Sequence, residues 1–167
     1  MSDRRTAVYA GSFDPITNGH LDLVRRARSM FDRVILAVGH NPHKRRALPL
    51  DTRLDVLRAV TEDLDGVEVD HFEGLLVEYC RREGAVAILR GLRAVTDFEF
   101  EFKIGLANMD MAPEVQTVFL LSEPQNIFIS SSLVREIASH GGDVSRYLPP
   151  AAHDALRASL ESAPQRP

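Results

Sequence analysis

Between Gly11 and His20 the chain reads Gly-Ser-Phe-Asp-Pro-Ile-Thr-Asn-Gly-His, which joins two glycines, two hydroxyls and an imidazole in ten residues. An apolar run, Ala7 to Ala10, leads into it, and a helix is expected to begin at about His20. A strand-to-helix turn of this kind suits phosphate, because free backbone N–H groups and the positive end of the helix dipole face the crevice at the strand tip. Gly11 and Gly19 allow close backbone approach, and His20 can set a donor beside a phosphoryl oxygen. Two other segments add cations and hydroxyls. Arg90 and Arg93 flank Gly91 at the end of an apolar run, and guanidinium forks bind phosphate through paired donors. Ser130, Ser131 and Ser132 precede the apolar positions Leu133, Val134 and Ile137, a pattern that suits a helix N-terminus able to cap itself or hold an anion. A basic loop, His40 to Arg46, follows the second apolar run and includes Lys44, Arg45 and Arg46. The competing explanations are local: glycines for turn geometry, arginines paired with Asp97 or Glu99, and serines that only cap.

Elements that could position these groups alternate along the chain. Short β-branched runs recur at 7–10, 34–38, 67–69, 86–89 and 115–121, nearly continuous as in strands buried on both faces. Leu21, Val24, Ala27 and Phe31 mark one helix face, and Leu54, Leu57, Val60 and Leu64 another, with Asp51 as its expected cap. A third stretch carries Leu76, Tyr79 and Cys80 and stops at Gly84. Such alternation predicts a doubly wound α/β domain with a five-stranded parallel sheet, a Rossmann-like arrangement. Asp97 to Ile104 is ambiguous. Strict polar–apolar alternation reads as a strand, whereas the Glu99/Lys103 spacing reads as a helix, in which Phe98 and Phe102 could face the core and leave a second apolar face needing cover.

At 167 residues one domain over 1–167 is expected, with 161–167 a frayed tail. A net charge of −4 argues against a general nucleic-acid coat but allows a local anion site. The single cysteine, Cys80, permits no intrachain disulfide and no cysteine-rich metal site. Met1 to Arg5 is polar with no apolar run behind it and no stretch reaches membrane length, so a cytoplasmic protein without a signal peptide is expected.

The Gly11–His20 segment resembles the (H/T)-x-G-H signature of the nucleotidyltransferase superfamily, in the form G-[ST]-F-D-P-I-T-N-G-H found in bacterial phosphopantetheine adenylyltransferases. Arg90 to Glu99 is similar to that family's R-G-L-R-x-x-x-D-F-E, and Ile129 to Arg135 to its I-S-S-[ST]-x-[VI]-R. The resemblance implies transfer of the AMP part of ATP to 4'-phosphopantetheine by in-line attack, releasing pyrophosphate and dephospho-coenzyme A, with Mg²⁺ travelling on ATP. It implies His20 as transition-state donor, and Lys44 and Arg90, with Ser12 and Leu76, on the acceptor. It places Ser12, Phe13, His20, Gly91, Leu92, Arg93, Glu101 and the run Asn126, Ile127, Phe128, Ile129, Ser130, Ser131 and Ser132 around ATP. A homohexamer and feedback inhibition by coenzyme A are implied likewise; no His/Cys cluster in the sequence suggests a metal fixed by protein side chains. Ser12 stands where many members have threonine, and Gln125-Asn126-Ile127 stands where an aromatic often precedes the phenylalanine. A related transferase acting on glycerol phosphate or nicotinate mononucleotide, or a non-catalytic nucleotide sensor, are the rival expectations.

Overall fold

A computed structural model describes residues 4–41, 43–44 and 46–162. Arg45, one of the three candidate loop cations, lies outside them, as do 163–167 of the expected tail. Five strands, β1 (Thr6–Gly11), β2 (Arg33–Gly39), β3 (Val67–Phe72), β4 (Ala85–Leu92) and β5 (Gln116–Leu121), form one parallel sheet in the order β3-β2-β1-β4-β5. Helices α1 (Asn18–Arg28), α2 (Leu50–Thr61), α3 (Leu76–Arg82), α4 (Val95–Met111), α5 (Ser131–Ser139) and α6 (Pro150–Ser162) connect or follow them. Residues 161–162 of the expected tail form the C-terminal end of α6.

Period-2 alternation splits each central strand between two cores. On β2, Val34, Leu36 and Val38 join one cluster with Leu23, Val24 and Ala27 of α1, Leu54 and Leu57 of α2, and Leu156 of α6. Ile35 and Ala37 face the other way, against Val77, Tyr79 and Cys80 of α3 and the Ala112–Val115 connection. Burial on both faces is why these strands read as unbroken apolar runs. Leu36 is fully buried at the centre of the larger cluster. Leu36→Ala is expected to lower unfolding free energy by about 2–5 kcal/mol in a denaturant titration.

The ambiguous segment is helical. Periodicity failed here because α4 is not a core helix: of its described side chains only Asn108 is buried. Phe98 and Phe102 do not reach the core. Their rings lie 5.5 Å apart, with Phe98 edge-on to Phe119 of β5 at 5.9 Å, and each stays over 40% exposed. Phe100, Leu106, Met109 and Met111 extend this exposed apolar surface. Asp51 also differs from expectation. Pro49 holds the N-cap position of α2, and Asp51 lies within the first turn, where a carboxylate favours the helix dipole without capping. Gly84, at φ +63, follows the C-cap of α3, as its position after the apolar pattern predicts. Cys80 is buried on that helix, and burial pushes its thiol up to about 11.

Candidate active site

The chain begins at β1, moves outward through β2 and β3, and then returns to place β4 on the other side of β1. This reversal opens a crevice beyond the carboxyl ends of β1 and β4, where α/β sheets bind ligands. A cleft of about 540 Å³ lies there, within the usual range for small-molecule sites. Ser12, Phe13 and His20 line it from the first motif, Arg90, Gly91, Arg93 and Glu101 from the second, and Asn126, Ile129, Ser130, Ser131 and Ser132 from the third.

The start of α1 fixes the imidazole. Thr17 is the N-cap and its hydroxyl accepts the His20 N–H at 3.4 Å, while the Thr17 N–H donates to His20 Nδ1 at 3.0 Å. This is a reciprocal capping box with histidine where glutamate or glutamine is usual. An Nδ1 that accepts a backbone N–H leaves the ring proton on Nε2, so His20 offers one N–H to the cleft it lines. Burial, then the Arg93 and Arg90 charges, lowers its pKa to about 4, so the ring is a neutral donor at neutral pH. Phe13 packs edge-on to the imidazole at 5.4 Å and to Tyr9 at 5.5 Å. It holds the left-handed φ of +41, backbone strain stored beside the cleft.

The glycines serve packing more than open space. A Cβ on Gly19 would come within 3.3 Å of Asn126, and one on Gly11 within 3.1 Å of the Phe13 ring. Close approach is real at both positions, but in this structure protein side chains make it.

Arginine and carboxylate groups interlock along the cleft wall. Arg90 donates through Nε and Nη2 to the two Glu101 carboxylate oxygens, each at 2.6 Å, and through Nη1 to the Ala10 carbonyl at 3.1 Å. Burial opposes the Arg90 charge, but the Glu101 hydrogen bonds and charge outweigh it and raise its pKa on balance. Arg93 pairs with Asp97 at 3.0 Å and donates to the Ile129 carbonyl at 3.2 Å, so it ties the second motif to the third. Ser130 caps α5 by accepting the Leu133 N–H, Ser131 Oγ donates to the Pro15 carbonyl at 2.8 Å, and Ser132 Oγ accepts from Arg135 at 3.3 Å. Ion pairing and capping, the local explanations, are therefore present. They coexist with convergence on one cleft.

Lys44 does not line this cleft. It lines a neighbouring cavity of about 580 Å³ between the 40–53 segment and α6, and among the described loop residues Arg46 lines both cavities. The loop explains this. Lys44 N–H bonds back to the Asn41 carbonyl at 3.1 Å, placing Lys44 in a turn, while Arg46 lies next to the buried anchor described below. Leu76 packs against the smaller core cluster and does not line the cleft. Leu92 is outside it at the end of β4, and exposed Ile127 and Phe128 are outside it too, with Phe128 edge-on to Tyr147 at 5.6 Å. Sequence reasoning missed Tyr9, Ala10, Thr17, Leu23, Asp97, Phe100, Ser122 and Arg135 as lining residues. Thr17 and Asp97 lie within the quoted motifs, and so does Arg135, so motif membership could have found these three.

The matching sequence model is the cytidylyltransferase-like family, over residues 8–137, and the chain belongs to that family of nucleotidyltransferases. Among its relatives are phosphopantetheine adenylyltransferases of Alkalilimnicola ehrlichii, 53% identical across 96% of this chain and 92% of that protein, and of Heliobacterium modesticaldum, 52% identical across 87% and 86%. The fold is similar to a putative nicotinate-nucleotide adenylyltransferase from Vibrio parahaemolyticus, with TM-score 0.69, 18% identity and 95% of each chain covered. It is also similar to a bifunctional NMN adenylyltransferase/ADP ribose pyrophosphatase from Francisella tularensis, with TM-score 0.72, 15% identity, 96% of this chain and 50% of that one. Among the described residues no helix is long and apolar enough to cross a membrane.

Proposed function

We propose that the chain transfers the adenylyl group of ATP to 4'-phosphopantetheine, forming dephospho-coenzyme A and pyrophosphate in coenzyme A biosynthesis. The observation that carries this is a neutral imidazole donor and the Arg90 and Arg93 guanidiniums on one cleft at the switch point, in a chain about half identical to phosphopantetheine adenylyltransferases. The acceptor phosphate oxygen attacks the α-phosphorus in line, the P–O bond to the β-phosphate breaks, and pyrophosphate leaves. Negative charge builds on the non-bridging oxygens, where His20 Nε2–H stabilises it by positioning and electrostatics. Arg90 orients the acceptor phosphate with Ser12. Lys44 joins them when substrate is bound, its flexible stem carrying the ammonium over from the adjoining cavity. Arg93, Gly91 and the α5 N-terminus serve the ATP side.

Mg²⁺ fits this site only as a companion of ATP. Among the described residues no group of three or more His, Cys, Asp or Glu could hold a metal, and the wall carboxylates Asp97 and Glu101 are engaged by arginines. Bound to phosphate oxygens and water, the ion would supply charge neutralisation. The activity is assigned to one unit over 1–167, in the cytoplasm. The exposed Phe98, Phe100, Phe102 and Met109 surface of α4 supports a homohexamer that covers it, and coenzyme A, sharing the pantetheine arm, is the proposed feedback inhibitor.

Coupled detection of pyrophosphate tests the reading. ATP with 4'-phosphopantetheine is expected to release it, while glycerol phosphate and nicotinate mononucleotide in the same panel are not. Release with either of the latter in place of 4'-phosphopantetheine would reassign the acceptor, and acceptor-independent ATP binding alone would make the chain a sensor.

A further inference from the structure

Asp14 belongs to the first motif, yet the reaction above does not use it. It is 1% exposed, and its carboxylate accepts two backbone N–H groups from a distant segment, Leu48 at 2.8 Å and Ala47 at 3.0 Å. A buried carboxylate needs such compensation. Cations add to it: Arg135 Nη1 lies 3.9 Å from Oδ2 and also donates to the Asp14 carbonyl, and Arg53, itself buried, donates to the Ser12 carbonyl at 2.8 Å. Asp14 thereby joins three chain segments, the first motif, the basic loop and the third motif.

The residue immediately before this anchor is Arg46, which lines both the cleft and the neighbouring cavity. Among the described residues no carboxylate forms an ion pair with Arg46, whereas Arg90, Arg93 and Arg135 on the same cleft each face one. We infer that Asp14 is a positioning residue. By fixing the Ala47–Leu48 backbone it holds the Arg46 guanidinium at the acceptor end of the cleft, where Arg46 binds the acceptor's phosphate. The inference rests on the adenylyl-transfer reading for the identity of that phosphate.

The test is a kinetic cycle with a structural readout. Asp14→Asn keeps size but can accept from only one of the two N–H groups and turns an N–H₂ toward the other. It is expected to raise the acceptor KM about ten-fold or more while the ATP KM moves less than about two-fold, the loss of charge-assisted hydrogen bonds. Arg46→Ala should do the same, and the double variant should be no worse than Arg46→Ala alone, because Asp14 acts through Arg46. Effects that multiply, or ATP and acceptor KM rising together, would overturn the inference in favour of a general structural role. Asp14→Glu, which keeps the carboxylate but displaces it, serves if the asparagine variant does not fold, with the same KM split expected. Amide hydrogen exchange at Ala47 and Leu48 reads the anchor without any turnover. Faster exchange in the variant supports it and unchanged exchange refutes it. An inactive wild type with intact anchoring would thus sink the reaction, and with it the acceptor role of Arg46, but not the Asp14 anchor.

Discussion

His20→Ala is expected to fold and to lose turnover by about 10²–10³, the usual cost of removing one preorganised donor to a developing oxyanion. The ATP KM should change little, because the Nε2–H contact strengthens only as charge develops on the phosphoryl oxygens. The pH dependence is a sharper check. With its pKa near 4, the ring is already neutral through the physiological range. Any acidic limb of the wild-type turnover profile near the ordinary imidazole value of 6.5 should therefore persist in His20→Ala, since it would come from the acceptor phosphate, whose second ionisation lies at about 6, and not from the imidazole. Stability follows the same linkage. The folded state takes up its His20 proton only near pH 4, whereas the unfolded chain takes it up near 6.5, so acidification through that window favours unfolding. His20→Ala should flatten the stability-versus-pH curve between those values and leave its slope unchanged above them, at a lower level set by the lost capping contact. Activity within a few-fold of wild type would remove His20 from the centre of the mechanism, and an imidazole titrating near 6.5 by NMR would overturn the burial-lowered pKa and the pH dependence drawn from it.

Arg90→Ala is expected to reduce kcat/KM for 4'-phosphopantetheine by roughly 10²–10³, since truncating one member of a desolvated, hydrogen-bonded charge pair costs about 2–5 kcal/mol. Two effects combine. A phosphate-orienting fork disappears, and Glu101, held by two bonds of 2.6 Å, becomes an uncompensated carboxylate facing incoming phosphates. Arg90→Lys should recover only part of the loss, because an ammonium cannot span both Glu101 oxygens in the same plane. Adding Glu101→Gln to Arg90→Ala should restore some activity by removing the repulsive charge. Steady-state kinetics on the four proteins decides it. If the double variant is no better than Arg90→Ala, repulsion by Glu101 is not part of the loss.

The α/β sheet was legible because strands covered on both faces must be apolar throughout, as at 34–38, and because α1 and α2 repeat their buried positions at helical spacing. Legibility failed where an element is not packed on the core. The 97–104 stretch kept a strand-like alternation since most of α4 carries its phenylalanines outside the core, so hydrophobic period no longer reported backbone conformation. Around the cleft, His20, Arg90 and the serine run could be located from residue type at strand ends and helix starts. Their partners could not. Nothing in local spacing joins Arg90 to Glu101 across a helix start, or Asp14 to the amides of residues more than thirty positions away. Lys44 and Arg46 are two positions apart in a basic run, and which of them reaches the cleft depends on a turn and on that distant carboxylate.

Cys80 has a practical consequence. As the chain's one thiol, packed inside α3 and reluctant to ionise, it should react slowly with alkylating reagents in the folded state. A cysteine introduced at an exposed position would then be the only fast-reacting site, so spectroscopic probes could be attached on the native background without first removing Cys80.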